Sequence, residues 1–213
     1  MLLGVMLFSD KTNIPVMTGN RMAHLLLLSL ANINTDIHSK GSLHSHVLLM
    51  LLPVASFVHK QTHVCSLLSD QLIHESLDLM LKPLKVAATV GIMISNPVGN
   101  LCYCFTPLIA YIADTPKESL LVCIGPKALP VLTATYKQFG DAFCHPSHMA
   151  AMTLDDIIQA CSMADPDNFK SFLKIAKHYH LNSVIKPFFR DWLLSEPLIF
   201  ITPELLLHFH CLF

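Results

Sequence analysis

Charge is what this chain has least of. Asp, Glu, Lys and Arg make up 14% of its 213 residues and hydrophobic residues 53%, whereas ordinary soluble domains are about a quarter charged. A surface drawn from this stock is short of ionised groups. Exposed apolar surface is therefore expected, to be covered by a protein partner, by self-association, by a missing segment or by a membrane. The formal net charge is −1, with no run rich in Lys or Arg, so the basic footprint of a stand-alone nucleic-acid binder is missing. Long apolar runs are missing too. The windows 1–8, 22–30, 47–58 and 101–113 fall short of the roughly 18 residues that a membrane span requires. Pro53 and Pro107 interrupt two of them. The first window has neither a basic leader nor a small-residue cleavage pattern, so it does not read as a signal peptide. No membrane role is expected.

Several chemical signatures are also lacking. The seven cysteines are odd in number and scattered, most of them in apolar runs where a free thiol behaves as a small hydrophobe. This pattern points to a reducing, intracellular compartment. No Cys-x-x-Cys pair occurs among the cysteines or the thirteen histidines, and the local clusters (44–46, 144–148, 178–180, 208–211) have no structural zinc spacing. His74-Glu75 opens like a zincin helix, but position 78 is Asp, so the His-Glu-x-x-His pattern fails. There is no nucleophile elbow, no phosphate-binding Walker loop and no dinucleotide fingerprint.

What is present centres on 90–120, VGIMISNPVGNLCYCFTPLIAYIADTPKESL. An apolar run reaches Ile94, a turn spans 96–100, and a second run from Leu101 to Ala113 predicts a long buried strand that stops on Asp114. The start of the chain does the same: a strand over 1–9 is closed by Asp10-Lys11-Thr12 and a turn containing Pro15 and Gly19. Strands are also predicted at Leu25–Leu30 and from His44 to Pro53, spaced closely enough for an antiparallel meander. From Ser66 the period becomes helical, with Ser69-Asp70 as the N-cap region and Pro83 ending or kinking the helix. Beyond Asp114, 124–149 reads as loop. Thr153 and Asp156 resemble a capping box opening a helix from Leu154 towards Met163. Asp165-Pro166-Asp167 opens another, amphipathic, with Lys170, Lys174 and Lys177 on its polar side. A final helix is expected from Pro203-Glu204. The order predicts an α/β fold with a mixed sheet, an antiparallel meander plus a later strand parallel to the first.

Asp10 and Asp114 are the candidate metal ligands. If their strands run parallel, both carboxylates emerge at one sheet edge, where they could hold Mg²⁺ or Mn²⁺ for phosphodiester chemistry. The plainer alternative is that each Asp caps a turn. The lysine row could touch a phosphate backbone or simply be a solvated helix face.

A set of segments carries a family resemblance: SDKT at 9–12, LANI at 30–33, HVLLMLLPVASFVHK, LIHESLDLMLKPLKVAA, NPVGNLCYCFTPLIAYIADTPKESLLVC, TYKQFGDAF and FFRDWLLSEPLIFITPELL. Together they resemble the transposase of Plavaka-type fungal DNA transposons, part of the wider KDZ (Kyakuja, Dileera, Zisupton) group of cut-and-paste elements. The resemblance runs from Asp10 almost to Phe213 and is most specific over 95–120 and 188–206. It implies an RNase H-like nuclease core of the DDE/D type that uses three acids and Mg²⁺ or Mn²⁺, with DNA as partner and a nuclear location. Asp10 matches the first acid. For the second, Asp114 matches a family Asp after the long strand, and the family also carries an Asp where this chain has Asn96. The third acid is expected downstream of a helical insertion, beyond Phe213, with neither Glu196 nor Glu204 in that role. The cysteine pair expected after the second strand is replaced by Cys123-Ile124-Gly125-Pro126, and the family's upstream zinc-finger region is not in the sequence. On this reading 1–123 is an RNase H-like core fragment, 124–213 is loop and truncated, mainly helical insertion, and the fold is incomplete. The function implied is that of a degenerate transposon-derived protein, inactive alone. The alternatives are a domesticated, non-catalytic protein-interaction module or a non-functional relic.

Overall fold

Alternation in the first residues sets the architecture. In the computed structural model, Val5, Leu7 and Ser9 are buried while Met6 and Phe8 are only half-buried, the period-2 pattern of a strand with one core face. The described residues are 1–203 except 17, 18, 39, 59–61, 97, 126, 127, 131, 139 and 144. Strand β1 (Val5–Val16) pairs antiparallel with β2 (Gly19–Leu30), from Val5↔Leu30 to Val16↔Gly19. A short helix α1 (Thr35–His38) leads to β3 (Val47–Leu52), antiparallel to β2. The expected meander is present.

The long helix α2 (Thr62–Val90) buries Leu67, Leu77, Leu81, Ala87 and Ala88 in the core. It neither starts at Ser69-Asp70 nor ends at Pro83. Ser69 instead sits inside it, donating to the Cys65 carbonyl at 3.0 Å. Pro83 is tolerated because it lies on the solvent side, with Leu79 one turn back 74% exposed. Water can take the carbonyl bond that proline cannot make. Gly91, at φ +81°, ends the helix, its N–H on the Ala87 carbonyl at 3.0 Å, the left-handed C-cap that glycine adopts without steric cost.

The predicted long strand over 101–113 is two strands in two sheets. β4 (Ile92–Ser95) and β5 (Leu101–Cys104) form a separate hairpin, while β6 (Leu108–Ala113) enters the main sheet parallel to β1. Proline at 107 has no N–H for a ladder, and the corner is held by the Trp192 indole N–H on the Thr106 carbonyl at 3.0 Å. After β6 come α3 (Thr115–Leu121), α4 (Ala150–Met163), α5 (Phe169–His178), α6 (Pro197–Phe200) and β7 (Ile201–Pro203). Helix α4 begins one turn before the predicted capping box, so Thr153 is a buried helical residue and not a cap. Pro203 closes a strand parallel to β6, not the start of a helix; Glu204 lies outside the described residues.

The five-stranded sheet has the order β3-β2-β1-β6-β7, antiparallel on the β3 side and parallel on the β7 side. One continuous core joins its inner face (Val5, Leu7, Leu26, Tyr111) to α2 and to late aromatics (Phe188, Phe189, Trp192, Phe200).

Candidate functional site at the ends of two parallel strands

Asp10 and Asp114 are brought together by register. Pairing between β1 and β6 runs Leu7↔Tyr111 and Phe8↔Ile112, so each Asp stands two residues beyond the same rung. The two strands run side by side in the same direction, so both residues follow the ladder at the same end of the sheet. The route to each differs from the expectation. Asp114 does end its strand and precedes α3, where Pro116 occupies the first turn, the favoured place for proline. Asp10 does not end β1: the strand continues to Val16 as a ribbon with β2, and Asp10 pairs with Leu25. The apolar pattern stops there because the covered part of the sheet stops there.

The surrounding groups are polar and unevenly satisfied. The Thr12 hydroxyl donates to Asp10 Oδ2 at 2.9 Å, and Lys117 Nζ lies 3.3 Å from Asp114 Oδ2. An ammonium thus already supplies a positive charge beside Asp114. Behind the pair, Ser9, His24, Tyr111 and Lys117 line a small cavity of ≈ 10 Å³, about the room one water requires. His24 is buried with Nε2 unpaired. Burial, then the charges of Lys117 and Lys11, push its pKa down to about 4. Glu118, one turn along α3, is 4% exposed with Oε1 unpaired; burial and the negative charge of Asp114 push its pKa up to about 7. None of Thr12, His24, Lys117 or Glu118 is a sequence-level candidate. The one available signal was Asp114-Thr115-Pro116, the opening of a helix that would present Lys117 and Glu118.

Asn96, the competing second position, is elsewhere. It sits in the turn of the β4–β5 hairpin, its Oδ1 accepting from Val98 N–H at 3.1 Å and Asn100 N–H at 2.8 Å, an Asx turn. Glu196 caps α4 from a distance, its Oε1 accepting the Ala150 N–H at 2.6 Å. The His74-Glu75-x-x-Asp78 segment is structural. His74 Nδ1 accepts the Phe188 N–H at 3.1 Å and Nε2 meets the Leu120 carbonyl at 3.0 Å, an arrangement met by a neutral ring with its proton on Nε2. Asp78 pairs with Lys85 and Arg190. Of the predicted histidine clusters, His145 pairs with Asp141 at 3.1 Å and His148 meets Thr153 at 2.8 Å; the cluster at 208–211 lies outside the described residues.

Comparison with family models decides the kinship: the Plavaka transposase model matches residues 1–213. The chain belongs to the Plavaka transposase family. No curated protein and no solved structure matches it. The family resemblance read from the residue segments thus holds over the whole chain, and the family's metal dependence can be set against the site. Among the described residues no three His, Cys, Asp or Glu side chains are close enough to hold a metal ion together. The donors fit in kind: Mg²⁺ takes one or two protein carboxylates and completes its shell with water and substrate phosphate oxygens, and Asp10 and Asp114 are two carboxylates on one edge. Among the described residues no helix is long and apolar enough to cross a membrane.

Proposed function

We propose that this chain is the RNase H-like core of a Plavaka-type transposase, acting on DNA in the nucleus, with Asp10 and Asp114 as its two metal-binding acids of the DDE/D set. The observation that carries this is the parallel β1–β6 register. Support for the fold comes from the strand order β3-β2-β1-β6-β7 and the strand directions. An RNase H-like sheet has that order, with its first acid on the first strand and its second after the strand parallel to it. The helical residues between α3 and β7 would then be an insertion on a core that begins in 1–123.

Asp10 and Asp114 would hold Mg²⁺ or Mn²⁺, which when bound polarises a phosphoryl oxygen and activates the attacking water or hydroxyl. The chain's own residues prepare that site. Thr12 fixes one carboxylate oxygen of Asp10, and Lys117 balances the charge of Asp114 and has to yield to an arriving cation. Among the described residues no third acid joins the pair, and two carboxylates by themselves would hold the ion weakly. The reading as a degenerate transposase derivative is supported by Asn96, which stands where the family resemblance also places an Asp. A second reading, a protein-interaction module, is favoured by the β4–β5 hairpin, where Ile92, Met93, Ile94, Leu101 and Tyr103 are exposed.

A thermal melt with and without millimolar Mn²⁺ tests the proposal. At about 100 times its dissociation constant a ligand adds roughly 2.7 kcal/mol to the folded state. A rise in Tm that disappears in both Asp10→Asn and Asp114→Asn is expected. A cooperative melt indifferent to metal would reject the site and leave the interaction module.

A further inference from the structure

We propose that the exposed face of α5 is a contact surface for a nucleic-acid phosphate backbone, with Lys170, Lys174 and Lys177 as the contacting groups. The proposal rests on the DNA-acting role given above and adds to it a surface on a different element from the paired acids.

The charge distribution is the first support. From Asn168 to Arg190 the chain has no Asp or Glu but holds Lys170, Lys174, Lys177, Lys186 and Arg190, five of its fourteen basic residues. All fifteen acids lie outside that stretch. Among the described residues, Arg190 is paired with Asp78, while Lys170, Lys174 and Lys177 form no ion pair. A helix face that exists only to be solvated usually interleaves both signs at i,i+4 spacing. This one does not.

Geometry is the second. Spaced i, i+4, i+7, the three lysines fall within about 60° of the helix circumference and about 10 Å of its axis. Phosphates of one strand rise about 3.4 Å each, so about three of them match that length. The opposite face of α5 is closed, Phe172 and Ala176 being buried. A membrane-surface helix needs its apolar face free to enter the lipid, so closure of that face favours a phosphate backbone over an anionic bilayer.

Placement is the third. The residues after α5 are tied to the end of α3: the Asn182 N–H donates to the Cys123 carbonyl at 3.0 Å, Asn182 Nδ2 to the Leu120 carbonyl at 3.2 Å, and the Gly125 N–H to the His180 carbonyl at 2.6 Å. Helix α3 starts directly after Asp114 and is about 10 Å long. The Lys177 end of α5 is therefore anchored one short helix away from the acids, within reach of the same strand.

Fluorescence anisotropy with a labelled random-sequence duplex, between 50 and 200 mM salt, tests this on the full chain. Neutralising three phosphate contacts in Lys170→Gln/Lys174→Gln/Lys177→Gln should reduce the slope of log K against log salt by about 2.7. It should weaken binding at least tenfold at 100 mM salt, and the variant should melt like wild type because all three side chains are exposed. Lys82→Gln, on α2, should change the slope by no more than about 1. An unchanged slope in the triple variant overturns the proposal, as does a wild-type chain that binds phosphatidylserine vesicles but no duplex. If Mn²⁺ leaves the melt unmoved while duplex binding depends on the lysines, the metal site fails and this surface stands.

Discussion

Replacing His74 with Gln should change both the stability of the fold and how that stability responds to pH. His74 is 1% exposed and joins three elements: α2, on which it sits, the Leu120 carbonyl at the end of α3, and the Phe188 N–H. Burial lowers its pKa from 6.5 to about 4. Between those values the unfolded chain takes up a proton and the folded one does not. The stability held by the neutral ring is therefore complete above pH 6.5 and is lost as pH falls towards 4. The whole difference corresponds to about 3 kcal/mol, of which about 2 kcal/mol falls between pH 7 and pH 5. His24 carries a depression of the same sign, while Asp70, raised to about 6, and Glu118 oppose it. The wild-type profile is thus a mixture, and the difference between wild type and variant is the informative quantity. His74→Gln cannot titrate, and it leaves the Phe188 N–H without its acceptor, a cost of about 1–3 kcal/mol at neutral pH. Urea unfolding at pH 7 and pH 5 should show that cost shrinking by about 2 kcal/mol. A cost that stays the same at both values would mean that folded His74 takes up a proton as readily as the unfolded one, and the buried neutral bridge between α2, α3 and Phe188 would be wrong.

Glu118→Gln should act with the opposite sign. The folded-state pKa of about 7 lies above the ordinary 4.5, so wild type loses stability as pH rises through that window and the variant does not. A gain of up to about 3 kcal/mol at pH 8.5, absent at pH 4, is the expected result in denaturant melts. The Lys85 cluster makes a further prediction. Lys85 is 4% exposed and bridges Asp78 on α2 to Asp191. Removing both partners in Asp78→Asn/Asp191→Asn leaves a buried ammonium unpaired and should cost about 3–5 kcal/mol, whereas Lys85→Met, which keeps the stem and removes the charge, should cost much less. Equal losses in urea unfolding would show that the cluster is not desolvated.

Much of the sheet was legible in the residues themselves. Apolar runs and close spacing predicted β1, β2 and β3, and the 3.6-residue period predicted the long helix and α5, because both patterns are local consequences of burial. The two acids were legible for the same reason: a polar residue at the end of an apolar run marks where cover stops. Other features depended on contacts distant in sequence. That β1 continues past Asp10 follows from pairing with β2. That 101–113 divides between two sheets follows from Pro107 and from Trp192, which is 86 residues from the carbonyl it pins. Strand β7 is three residues long, too short to show a period, and exists because β6 offers it a ladder. The polar groups around the acids emerged only when α3 folded back from Asp114, bringing Lys117 beside His24 and Glu118 close to Asp114. The sequence by itself determined which residues carry charge into an apolar sheet, since composition and period are local. Only the tertiary structure decided that two of them share an edge, because a parallel register is a relation between strands about 100 residues apart that no local pattern encodes.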